Sequence, residues 1–191
     1  MNKNHQPTTA SNLMFLIARI TALGLLLAFS FTLAACGDAP AAPRNPDDVL
    51  GEWEIAEGGS IVTIRRCGEN NALFCGQLSW MEQNTYAEDD PRAGQIKTDR
   101  ENPDPALRDT LLLGIDLIHG FRWDPEQYRW VEGKIYNPFD GKTYNCQIEM
   151  ESETKIKIRG YIGLPILGQT VYWERPKADP ATRGGFSAPP K

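Results

Sequence analysis

From Gly51 to Arg175 the chain is cut into short runs of alternating apolar and polar residues, each stopped by a turn signal. Nowhere in that stretch does it sustain the spacing of a long amphipathic helix. Trp53 and Ile55 alternate with acids, Ile61 to Arg66 is β-branched, and Phe74 to Met81 follows a turn-forming Gly68 to Ala72. Ile115 to Trp123 alternates Leu117, His119, Phe121 and Trp123 with Asp116, Gly120 and Arg122. After Asp124-Pro125-Glu126 come Tyr128 to Tyr136, the tight-turn signal Asn137 to Gly141, and Thr143 to Met150. Thr154 to Ile162 sets Ile156 and Ile158 against Lys155, Lys157 and Arg159, and Gly168 to Arg175 closes the series. Period-two alternation places successive side chains on opposite faces of a sheet. About eight strands spaced by turns predict an all-β domain over 48–177, either a sandwich or an up-and-down barrel.

Residues 82–110 interrupt this rhythm: they are polar, with Pro91, Pro103 and Pro105. They predict one long irregular loop with a single helical turn at Asp104 to Arg108. Loops of that length in a compact domain are usually functional or disordered.

The N-terminus carries an address. Lys3 is followed from Leu13 by an apolar run, with Arg19 its only charge, that ends in Leu33-Ala34-Ala35-Cys36-Gly37. A short apolar segment ending in small residues is the pattern of a signal peptide, here 1–35, and is short for a bilayer span. The Leu-Ala-Ala-Cys ending resembles a bacterial lipobox. That resemblance implies cleavage before Cys36, diacylation of its sulfur and N-acylation of the new terminus. Several acyl chains together make a stable membrane anchor. Gly37 after the cysteine implies, by the same resemblance, the outer membrane, with the domain facing the periplasm. Residues 36–47 read as an Ala/Pro tether, and 178–191, with three prolines and two adjacent glycines, as a disordered tail. Cleavage removes Lys3 and Arg19 and no acid, so the mature chain is two charges more negative than the −5 of the whole. An acidic chain without a basic cluster is not built for nucleic acid.

Export permits disulfides. Cys67 ends one strand-like run and Cys75 lies just inside the next, so the two should face each other at the mouth of a hairpin and bond. No His/Cys set has zinc-ligand spacing. Cys146 shares the apolar parity of Tyr144, Ile148 and Met150 and is expected to be a buried, inert thiol.

Two fragments carry a resemblance. Gly51-Glu52-Trp53 opens the first strand and Trp173-Glu174-Arg175 closes the last. An early Gly-x-Trp with a late arginine resembles lipocalin-type barrels, which implies that Arg175 lies over Trp53 and seals one end. A planar cation stacked on an indole makes that physically sound. Further matches are Cys75-Gly76, Asp99 with Asn102-Pro103-Asp104 and Arg108, Leu112 and Gly114, and Gly133-Lys134-Ile135-Tyr136-Asn137-Pro138. Asp140-Gly141-Lys142-Thr143-Tyr144, Arg159 to Gly163, Leu167-Gly168 and Trp173-x-Arg175 continue the pattern. In order and spacing these resemble the bacterial domain-of-unknown-function family DUF2147. That resemblance implies a single lipocalin-like antiparallel up-and-down β-barrel and brings no activity with it.

Chemistry is sparse. His119 is the one histidine after the leader; on an apolar strand face it reads as a core or lumen residue. No Gly-x-Ser-x-Gly, His-Glu-x-x-His or phosphate loop occurs, and Cys146 has no evident base. Asp99, Asn102, Asp104 and Arg108 lack calcium-loop spacing. They read instead as an Asx turn and helix cap, with Arg108 paired to a carboxylate. No cofactor or metal is expected, and an enzyme is the least supported reading. The leading expectation is a lipid-anchored barrel that binds a small apolar or amphipathic ligand, lined by Phe121, Trp123, Tyr136 and Tyr144. The alternative is a cell-envelope interaction protein whose lumen is packed and whose 82–110 excursion is the contact surface. Lumen volume separates the two.

Overall fold

The computed structural model describes residues 45–55, 59–178 and 182–189. The expected signal peptide 1–35, Cys36 and most of the expected tether lie outside the described residues. Eight strands form the wall: β1 (Gly51–Ile55), β2 (Ser60–Cys67), β3 (Leu73–Met81), β4 (Asp116–Asp124), β5 (Arg129–Asn137), β6 (Lys142–Ser152), β7 (Lys155–Tyr161) and β8 (Gln169–Glu174). Each pairs antiparallel with its chain neighbour, and β8 returns to β1 through Glu54 opposite Glu174 and Ile55 opposite Trp173. The sheet therefore closes as an up-and-down barrel, in which each wall strand has a neighbour on both sides.

Strand polarity sorts the connections onto two ends. The β2–β3, β4–β5 and β6–β7 turns share one end with the segment that precedes β1. The β3–β4 excursion and the β5–β6 and β7–β8 turns gather at the other. The first end is closed. Asn45 caps a 3-10 turn, Pro46–Val49, through a reciprocal pair with Asp48. The indole N–H of Trp53 donates to the Val49 carbonyl at 2.7 Å, and that of Trp130 to the Pro46 carbonyl at 3.1 Å. Pro46–Val49 thus packs onto the barrel end, because buried indole donors need acceptors and this turn supplies them. Behind it Trp53, Phe74, Phe121, Trp130 and Ile148 are buried. The Cys67–Cys75 disulfide staples the β2–β3 hairpin, its Cα atoms 5.9 Å apart. Cys146 is free and buried.

Three expectations need correction. His119 is exposed on the outer wall, not in the core. Gly120 takes a φ of +68°, and the β3–β4 register slips between Phe74–Phe121 and Gly76–Ile118. The strict alternation is lost there, and Leu117 and Ile118 are both buried. Second, Arg108 donates to the Asn102 carbonyl at 2.8 Å rather than to a carboxylate; the Asp104 cap of the turn Pro105–Leu107 is present. Third, the described part of the C-terminal tail is not disordered. β9 (Phe186–Ser187) pairs with Met81 and Trp80, on the stretch of β3 that lies beyond the end of β4. The Ala188 N–H continues the ladder to the Ser79 carbonyl at 2.8 Å. An apolar rhythm is not needed there, because backbone hydrogen bonds hold the segment.

Candidate functional site

Above the packed lower half the barrel is hollow. A cavity of about 630 Å³ is lined by Leu78, Leu117, Ile135, Ile158, Val171 and Trp173 from the wall and by Leu112 from the excursion. Pro138, Phe139 and Asp140 of the β5–β6 turn and Ile162 and Leu167 of the β7–β8 turn form its rim. Volumes of this order suit a small molecule. The rim is apolar and in water: Phe139 is 86% exposed, Ile162 70% and Leu167 78%. Arg159 stiffens the β7–β8 turn from outside by donating to the carbonyls of Pro165 at 2.6 Å and Ile166 at 3.0 Å.

The tyrosines supply the polar features of the mouth. The Tyr136 hydroxyl donates to Asp99 at 2.6 Å, and the Asn102 amide donates to the other Asp99 oxygen at 2.6 Å. Asp99 is buried, so this contact ties the excursion to the wall. Burial first, and the Asp99 hydrogen bond second, raise the Tyr136 phenol well above its usual range. The Tyr144 hydroxyl donates to Asp140 at 2.5 Å, and the Lys142 N–H donates to its other oxygen at 3.0 Å. The Tyr144 contact above all holds the Asp140 carboxyl below the usual carboxylate range. Gly141 has a φ of +66°, and a Cβ there would lie 1.9 Å from the Glu101 carbonyl oxygen, so only glycine lets the excursion rest on this turn.

Of the residues expected to line a ligand, Tyr136 and Tyr144 are at the cavity; Phe121 and Trp123 are not. Phe121 lies over Gly133, where an added Cβ would come within 2.2 Å of its ring. Trp123 packs on Trp130 at 4.7 Å and Tyr128 at 6.4 Å, beside the β4–β5 turn. Strand parity told which face these residues occupy but not how high in the barrel they sit. Their place next to a turn at the closed end is the signal that fixes their height. The same count identifies Ile135 and Ile158, which the sequence reading missed; Leu167, also missed, comes from the β7–β8 turn. At the opposite pole Arg175 covers Trp53, its guanidinium carbon 3.7 Å from the ring centroid. Among the described residues no cluster of three or more His, Cys, Asp or Glu could hold a metal ion.

The fold is shared with a Helicobacter pylori protein, HP1028, described as belonging to the lipocalin family. The two are 23% identical, with a TM-score of 0.53 over 68% of this chain and 83% of that one. No curated protein matches the chain. A family model described as an uncharacterised protein conserved in bacteria, DUF2147, matches residues 51–175, from the glycine beneath the sealing arginine to that arginine itself. The chain belongs to the DUF2147 family, and its barrel is lipocalin-like.

Proposed function

We propose that this protein is a non-enzymatic carrier or sensor that holds a small apolar or amphipathic molecule in the open half of its barrel. In this reading it is anchored by acylated Cys36 in the outer membrane and faces the periplasm. The observation that carries the reading is the cavity of about 630 Å³ with an apolar wall and a few polar groups at one end. A packed lumen would have favoured a purely structural interaction protein, and only the closed half is packed. The lipocalin-like neighbour supports the fold on which the reading rests.

Native mass spectrometry of the protein released from its own membrane tests both halves. The reading expects a tri-acylated N-terminus at Cys36 and a second, non-covalent adduct that is lost on activation. A delipidated, adduct-free mass from intact membranes contradicts it.

A further inference from the structure

The cavity has an unusual charge inventory. Among the described residues its lining contains no lysine, arginine or histidine, and its one charged side chain is Asp140. The neighbouring cations are turned to other tasks. Arg159 donates to the Pro165 and Ile166 carbonyls and to the Thr170 hydroxyl, the last at 2.7 Å, all on the outer side of the β7–β8 turn. Arg175 is at the closed end, with its donors on Asp48, Leu50 and Glu52. Lys142 follows Asp140 closely in the chain, but its side chain is exposed and forms no part of the lining.

A carboxylate or phosphate head group carried into this space would lose its water and meet no cation. That desolvation is among the costliest events in binding. It would also approach Asp140, which the Tyr144 hydroxyl and the Lys142 N–H hold in its charged form. Like charges at short range add a further penalty. A cation meets the opposite situation. Asp140 supplies a counter-charge at the rim, and Tyr136, Tyr144 and Tyr161 line the same mouth. Tyrosine rings present their negative faces to ammonium groups. The apolar body of such a ligand would lie below, against Leu117, Ile135 and Ile158.

We infer that the cavity selects amphiphiles with a cationic, ammonium-type head group, held at Asp140 among the mouth tyrosines, and rejects those with an anionic head. This rests on the proposal that the cavity binds a ligand at all, and the test separates the two.

The purified chain, in the form the cell makes, is titrated calorimetrically with dodecyltrimethylammonium, dodecanol and dodecanoate, each below its aggregation limit. The tail is common to all three, so differences report the head. The ammonium probe should bind about three- to fivefold more tightly than the alcohol, the worth of a cation beside an exposed carboxylate and tyrosine rings. Dodecanoate should bind more weakly than the alcohol. Asp140→Asn keeps the turn-forming acceptor and removes the charge, so it should bring the ammonium affinity down toward that of the alcohol. Dodecanoate binding as tightly as the ammonium probe overturns the head-group inference, as does an Asp140→Asn variant with undiminished preference for the cation. In either case the alcohol still binds and the cavity reading stands. If none of the three binds, the cavity reading falls and takes this inference with it.

Discussion

The guanidinium of Arg175 lies over the indole of Trp53, its carbon 3.7 Å from the ring centroid, and its nitrogens reach the carbonyls of Leu50 at 2.8 Å, Asp48 at 2.9 Å and Glu52 at 3.2 Å. Gly51 makes room: a Cβ there would stand 3.0 Å from the Arg175 nitrogen, and its φ of +100° suits glycine. The Gly-x-Trp and terminal arginine of the sequence are therefore one device, which joins the first strand, the last strand and the plug before the first. Arg175→Ala should cost about 1–3 kcal/mol in denaturant unfolding through lost stacking and freed carbonyls. Lysine should restore only part, since it cannot stack as a plane. Wild-type stability in the alanine variant would contradict this role.

Burial pushes the Cys146 thiol up to about 12 from an ordinary 9.0. The folded state thus favours the protonated thiol, and the unfolded chain ionises first as pH rises. Its contribution is complete below about pH 9 and is lost between there and the folded value. The stability of the wild type should fall across that alkaline window more steeply than that of Cys146→Ala. Parallel pH curves for the two would mean that the thiol is not held neutral by the fold.

The Phe121 ring occupies the space a Gly133 side chain would need. Gly133→Ala should destabilise by about 1–3 kcal/mol, as overpacking does. Combining it with Phe121→Leu should cost less than the two changes added, because the leucine vacates the clash. Strict additivity in a double-mutant cycle would refute the contact.

The tail covers part of β3 that β4 leaves free. Gly185 runs so close that a Cβ would lie 2.6 Å from the Met81 carbonyl, and the Trp80 indole donates to the Gly184 carbonyl at 2.6 Å. Arg183 pairs with Glu52 at 2.9 Å. Deleting residues 182–191 should bare an unpaired edge and give concentration-dependent self-association in sedimentation. A strictly monomeric truncation would show that the edge needs no cover.

The strand rhythm and the hairpin disulfide were legible in the sequence, because each rests on local pattern: period-two alternation, turn formers and paired cysteines flanking one turn. That pattern left sandwich and barrel open, and the barrel came from the resemblance carried by Gly51-x-Trp53 and Arg175. What escaped was what alternation does not encode. A single left-handed glycine, Gly120, breaks the parity of β4 and leaves His119 in solvent. Height along the barrel is set by strand order and tilt, so Phe121 and Trp123 pack the floor instead of the cavity. The rim was hidden because Phe139, Ile162 and Leu167 are exposed, where apolar residues are not expected. Order in the tail depends on an edge that exists only after the barrel closes.

The central claim is that the open half of the barrel is a binding cavity. Methyl-resolved NMR of the protein titrated with dodecanol tests it most directly. The account predicts saturable shifts and probe contacts at the methyls of Leu117, Ile135, Ile158 and Val171, with Ile64 and Ile148 unmoved. Shifts confined to the outer wall or the closed end, or none at all, would contradict it.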